Sequence, residues 1–222
     1  GDTFVYRLTL TTGPFADYAW PMAIRAGEES SLALHGWNIP EVLATKVLIG
    51  ESPSAMLFDP QLANTLDVAV EPVAAVIAES DSDEAPLSIQ LPATVTGRIA
   101  EPGDRDSFAF AATKGEALSF ELASRSLGYP LDGVLEVTNG DGKSLARVDD
   151  VGSARDPVLA LTAPADGTYR ITVSDLYGHG SGRHVYRLRA TKVVPDFTVT
   201  TDRHAYVIVA GKPTEITLTI AR

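Results

Sequence analysis

A chain of 222 residues is long enough for a sizeable hydrophobic core and leaves the number of domains open. It holds no cysteine, which excludes disulfides, thiolate metal sites and cysteine nucleophiles, and its formal charge of -11 sets it against phosphate backbones and anionic lipid surfaces. No apolar run is long enough to span a bilayer, so neither nucleic-acid binding nor membrane insertion is expected, and cationic partners or divalent metals fit better.

The chain opens directly on an apolar, strand-like run, Phe4-Val5-Tyr6-Arg7-Leu8, as a piece cut from a longer polypeptide would. Val5-Tyr6-Arg7-Leu8 recurs as Val185-Tyr186-Arg187-Leu188, and each copy is followed by Pro and Phe, at Pro14-Phe15 and at Pro195-Asp196-Phe197. Further on, Ala26-Gly27-Glu28-Glu29-Ser30-Ser31-Leu32-Ala33-Leu34 is echoed in the same order by Ala210-Gly211-Lys212-Pro213-Thr214-Glu215-Ile216-Thr217-Leu218. Residues 1–10 are therefore expected to be the last strand of a preceding domain copy, with any export signal upstream of them. Residues 195–222 are expected to be the opening strands of a further β module, whose exposed edge would pair with another sheet edge or a second molecule.

Between residues 13 and 78 a small β domain is predicted, with strands near Ala23–Ala26, Ser31–Leu34, Lys46–Ile49 and Leu66–Val70. Val73–Ala78 reads either as a helical turn or as a strand. The run Leu32-Ala33-Leu34-His35-Gly36-Trp37-Asn38, followed by Val47-Leu48-Ile49-Gly50, resembles the immunoglobulin-like IPT/TIG domains, in which a Gly-x-Asn turn precedes an extended strand. Residues 79–87 begin with Glu79-Ser80-Asp81-Ser82-Asp83-Glu84, polar and acidic, and read as a linker.

The larger domain, residues 88–190, carries the clearest pattern. Asp166-Gly167 makes a turn into Thr168-Tyr169-Arg170-Ile171-Thr172-Val173-Ser174, where Tyr169, Ile171 and Val173 should face a core and the intervening residues water. Further strands are signalled at Asp106–Phe110, Ala117–Leu122, Val134–Val137, Ser144–Val148, Val158–Leu161 and Val185–Arg189, separated by Gly-, Asn- and Asp-rich turns. Short strands so punctuated predict an all-β chain, an antiparallel β-sandwich of jelly-roll type beside a small immunoglobulin-like domain.

An ordered set of motifs spans this domain: Leu91-Pro92-Ala93-Thr94-Val95-Thr96-Gly97-Arg98-Ile99, then Pro102-Gly103-Asp104-Arg105-Asp106-Ser107-Phe108, then Lys114-Gly115-Glu116. Leu131-Asp132, Asn139-Gly140-Asp141-Gly142-Lys143, Val148-Asp149-Asp150, Asp166-Gly167-Thr168-Tyr169 and Tyr186-Arg187-Leu188 complete it. Taken together, residues 88–190 resemble the bacterial pre-peptidase C-terminal (PPC) domain, an accessory β-sandwich found beside secreted peptidases and in large surface proteins. The resemblance implies a non-catalytic module of an exported bacterial protein, placed at the cell surface, outside the cell or in the periplasm. Its roles would be substrate or partner binding or added stability, and residues 1–10 would be the tail of a preceding PPC copy.

Candidate chemistry is sparse. Of His35, His179, His184 and His204, none stands in a zinc pattern, and His179 and His184 read as exposed loop residues. Ser181 lacks the Gly two positions before it that a nucleophile elbow needs, and Asp175, His179 and Ser181 lie too close along one loop for a triad, so hydrolysis is not expected. Some PPC domains beside collagenases bind calcium through an acidic segment before the first strand and a Gly-Asp-x-Asp turn. The matching positions are Glu79, Asp81, Asp83, Glu84, Asp104 and Asp106, although Glu79–Glu84 departs from the family's Glu-x-Glu-x-Asn-Asp pattern. These residues read either as a calcium-stabilised spacer or as a solvated linker beside a capped turn. Exposed aromatics stack on sugar rings, and Tyr129 and Tyr177 in predicted loops are the candidates for polysaccharide binding, whereas Tyr169, Tyr186 and Trp37 are expected in the core.

Overall fold

The computed structural model describes residues 10–40, 44–48, 50, 52–78, 85–150, 154–193, 198–203, 205–207 and 210–221. Most of residues 1–10, together with Glu79, Asp81, Asp83, Glu84 and His204, lies outside them. Two compact units are present, Gly1–Lys192 and Val193–Arg222.

The first unit begins with β1 (Phe15–Trp20), β2 (Ala23–Arg25), β3 (Glu29–Trp37), β4 (Ala44–Leu48), β5 (Ser54–Leu57) and β6 (Leu66–Glu71). They form two three-stranded sheets, ordered β1-β3-β4 and β2-β6-β5. Alternation along β3 turns Leu32 and Leu34 inward, beside Ala19 of β1, onto Ile24, Leu57, Val68 and Val70 of the other sheet. Fully burying one such aliphatic side chain is worth about 1.5–3 kcal/mol, so this small core holds its two sheets together through a few residues. Gly36 faces an irregularity in β1 between Ala16 and Tyr18 and lets the Phe15 carbonyl approach so closely that a Cβ there would lie 2.0 Å from its oxygen.

The rest of the unit is a sandwich built from β7 (Ala75–Ile77), β8 (Leu87–Ser88), β9 (Ala93–Arg98), β10 (Arg105–Ala112), β11 (Ala117–Ala123), β12 (Gly133–Thr138), β13 (Ser144–Val148), β14 (Val158–Thr162), β15 (Gly167–Asp175) and β16 (Val185–Lys192). One sheet runs β13-β12-β15-β10-β8 and the other β14-β11-β16-β9-β7. The long pairs are antiparallel, whereas β7 joins β9 and β8 joins β10 in parallel. Thus the segment Val73–Ala78 contains a strand, hydrogen-bonded into the sandwich. Between the sheets Phe110 packs against Phe120 at 5.2 Å and Tyr169 at 5.8 Å between ring centroids, amid Phe108, Leu135, Leu159, Ile171 and Leu188. The chain is all-β, and no helix among the described residues is long and apolar enough to cross a membrane.

Three local expectations are corrected. Thr172 is buried rather than solvated, because on the outer face of its sheet it shares a 3.1 Å hydrogen bond with Ser107. Arg105 and Glu136, ion-paired at 3.6 Å, stand over these short side chains on the same face. Trp37 is 52% exposed and lies on the surface under the Arg183 guanidinium, 5.5 Å from the ring centroid, in a cation–π contact that holds the ring on the outside of the module. His184 is buried, because the Gly-rich turn before β16 folds it against the sandwich end.

The second unit is a hairpin of β17 (Thr198–Thr201) and β18 (Leu218–Ala221), paired antiparallel, with Val199, Leu218 and Ile220 exposed.

Candidate functional site

The richest chemistry lies where the small module meets the sandwich. Tyr18, Met22 and Val185 form a buried cluster bordered by Trp20 and Tyr129. The Tyr18 ring stacks on His35 at 4.8 Å and meets Tyr129 edge-on at 6.1 Å, while its hydroxyl donates to the Gly182 carbonyl at 3.1 Å. The Met22 amide donates to Thr96 Oγ1 at 3.0 Å. Outside this apolar patch Arg183 grips Asp17 bidentately at 2.6 and 2.9 Å, which holds the guanidinium pKa above its ordinary value. On the other side the buried Glu71 carboxylate lies 4.0 Å from Arg187 and 3.6 Å from Arg189.

Two adjoining clefts open along this seam. A cavity of about 290 Å³ is lined by Asp17, Met22, Asp67, Ser126, Tyr129 and Arg187. Its neighbour, about 460 Å³, brings Arg125, Arg155, Arg187 and Arg189 together with Glu71 and Glu121. Arg125 pairs with Asp132 at 2.9 Å, yet its buried Nε has no hydrogen-bond partner. A cleft carrying both charges suits a polar, extended ligand more than a small apolar one.

Of the two tyrosines proposed to bind sugar, Tyr129 has its ring against Tyr18 and donates its hydroxyl to the Asp17 carbonyl at 3.0 Å. Burial, with the Asp17 charge adding to it, pushes its pKa up to about 12. Tyr177 is 69% exposed on the loop after β15 and keeps an open ring face beside His179. The structure does not bring the two into one platform: Tyr129 borders the junction cluster, and Tyr177 lies on the surface.

Of the residues offered for calcium, Asp104 and Asp106 are described. Asp104 accepts backbone N–H groups from Ala100 and Arg105, each at 2.9 Å, as a turn cap does. Asp106 points into the core, where Oδ2 accepts the Tyr186 hydroxyl. Among the described residues no three Asp, Glu or His groups converge as a metal site.

Ser181 meets a histidine, but not the one the sequence offered: its Oγ lies 2.7 Å from His184 Nδ1, within one turn that also bonds the His184 amide to the Ser181 carbonyl. Asp175 is occupied elsewhere. Its carboxylate accepts the amides of Asp132, Tyr177 and His179 at 2.9, 3.0 and 2.9 Å; burial alone would raise its pKa, but these three donors hold it below the ordinary value. Asp175 thus pins the loop instead of completing a triad with Ser181 and His179.

Burial lowers the pKa of His184 below 6.5, and burial together with the Arg98 charge does the same to His35. The unfolded chain then binds protons near that value which the folded chain resists, so stability falls as the pH drops through it. Melting temperatures measured from neutral to about pH 5.5 should decline, and His184→Gln should flatten the decline relative to the parent. An unchanged slope would remove His184 as a contributor.

The class is an all-β chain carrying a two-sheet sandwich. Within it, residues 104–175 match the model of the bacterial pre-peptidase C-terminal domain, inside the span whose motifs resemble that family. A stretch of 75 residues, 33% of the chain, is 36% identical to a probable subtilase-type serine protease of Deinococcus radiodurans. That stretch spans 10% of the relative's length. Among solved structures, a pre-peptidase C-terminal domain of a Bacillus anthracis collagenase is matched over all of its length and 51% of this chain, at 13% identity and a TM-score of 0.38. A periplasmic inhibitor of g-type lysozyme from Aeromonas hydrophila is matched over all of its length and 54% of this chain, at 14% identity and a TM-score of 0.37.

The junction residues Asp17, Tyr18, Met22 and Arg183 were not picked out from the sequence. Their partners stand up to 166 positions away, and no local pattern marks such pairs. The one available cue was an aromatic-rich run, Tyr18-Ala19-Trp20, too rich in large rings for a loop.

Proposed function

We propose that the chain is a non-catalytic accessory segment of an exported bacterial protein, in which a PPC-like sandwich and a small immunoglobulin-like module are locked into one binding unit. The observation that carries this reading is the seam itself. A buried aromatic cluster, a bidentate Arg183–Asp17 pair and the Met22 amide bonded to Thr96 join the two modules, and the polar clefts run beside that joint. Interfaces between packed modules are common places for ligands. The similarity to part of a probable subtilase-type serine protease supports a place beside a protease. The substrate or partner would be an extended polymer, protein or polysaccharide, long enough to lie along the clefts.

The exposed ring of Tyr177 favours a second reading, carbohydrate binding through a stacked sugar. Incubating the chain with insoluble polysaccharides and with denatured protein, then sedimenting it, separates the two. Retention on a polysaccharide that is lost in Tyr177→Ala assigns the sugar reading; retention on protein, reduced by Arg155→Ala, assigns the cleft. Turnover of ester or peptide substrates that disappears in Ser181→Ala would overturn the non-catalytic reading.

A further inference from the structure

The second unit repeats the first module in more than sequence. Aligning Ala26-Gly27 with Ala210-Gly211 places Leu32 on Ile216, Leu34 on Leu218, His35 on Thr219 and Gly36 on Ile220. Aligning Phe15 with Phe197, independently, places Tyr18 on Thr200 and Ala19 on Thr201. In the small module Ala19 pairs with Leu34 and Tyr18 with His35; in the hairpin Thr201 pairs with Leu218 and Thr200 with Thr219. Two separate alignments therefore give one register, and a slip of a single residue would have turned every side chain to the opposite face. Gly27 and Gly211 share the same left-handed turn, with φ of 75° and 78°. Even the difference is accounted for. Gly36 tolerates the close Phe15 carbonyl at the irregularity in β1, whereas Ile220 carries a side chain, and β17 runs past it in unbroken register.

What surrounds the two hairpins differs. In the small module β4 pairs with Glu29–Ala33, and Leu57, Val68 and Val70 cover Leu32 and Leu34. In the second unit the residues equivalent to Glu29–Ala33, Pro213–Thr217, are not strand, and Ile216 and Leu218 are 45% and 58% exposed. We infer that the face of Ile216 and Leu218 and the edge Thr214–Thr217 form a docking surface for a segment like residues 44–71, an antiparallel strand followed by an apolar two-strand sheet. Backbone pairing along the edge supplies the attachment, and the alternate apolar side chains supply its register.

The test uses the full chain and a synthetic peptide of residues 44–71 as the probe, read by amide hydrogen exchange. Saturating peptide should slow exchange across Thr214–Ala221 by roughly tenfold or more. Leu218→Asp, at an exposed position outside both cores, should abolish the effect, and Val207→Asp should leave it intact. Unslowed exchange at saturation, or slowing that survives Leu218→Asp, would overturn the inference. So would a chain that dimerises alone, protects Thr214–Ala221 in the dimer and becomes monomeric as Leu218→Asp, because the occupant would then be a second copy.

Discussion

Tyr18→Ala should split the thermal unfolding of the first unit into two transitions, the small module melting first. The substitution deletes a buried ring that packs on Met22 and Val185, stacks on His35 and meets Tyr129, and it removes the hydroxyl that reaches the Gly182 carbonyl. Truncating a buried aromatic to alanine costs about 3–5 kcal/mol, a large share of what joins a module whose own core is a few aliphatic residues. The Asp17–Arg183 pair cannot make up the loss. Arg183 is half exposed, and ion pairs open to solvent are worth about 1 kcal/mol or less. The parent should melt in one calorimetric transition, because the Tyr18–Met22–Val185 cluster couples the modules. A single transition in Tyr18→Ala, within a degree or two of the parent, would show that the cluster does not do the coupling.

How much of this was legible in the sequence follows from how local each signal is. Tyr169, Ile171 and Val173 face the core as their alternation predicts, because the two-residue period of a strand is written in consecutive residues. The turns around Gly103, Gly115 and Gly142 were legible for a similar reason: each has a positive φ that glycine adopts without penalty. By contrast β1 is not legible in the sequence, since Phe15-Ala16-Asp17-Tyr18-Ala19-Trp20 crosses an irregularity and buries side chains on both faces, which erases the alternation. The strands β7 and β8 were hard to read because each is short and its parallel partner lies beyond an intervening segment. At the candidate site, Trp37 looked like core because its apolarity is local, whereas the Arg183 that covers it comes from the far end of the chain. The same holds for His184, whose burial depends on a turn closing over the sandwich end.

Gly97→Ala should be a severely damaging single-methyl change. Gly97 stands directly across from Tyr186 in the β9–β16 pair, and a Cβ there would lie 2.2 Å from the Tyr186 hydroxyl oxygen and 2.3 Å from the ring carbon that bears it. The ring cannot yield, because it is fully buried between the sheets with its hydroxyl on Asp106. Expelling it forfeits about 3–5 kcal/mol of aromatic packing and takes a donor from a buried carboxylate, a further loss of about 1–3 kcal/mol. Against a total stability of about 5–15 kcal/mol, the sandwich should be largely unfolded at 37 °C or melt well over ten degrees lower. Tyr186→Ala isolates the cause. If the clash with the ring is the whole defect, Gly97→Ala adds almost nothing in a Tyr186→Ala background, and the two costs measured by denaturant unfolding are strongly non-additive. Additive costs would mean that Gly97 serves some other backbone need. The arrangement also ties Asp106 into the sandwich core, where its Oδ2 accepts the hydroxyl of a tyrosine that only a facing glycine admits.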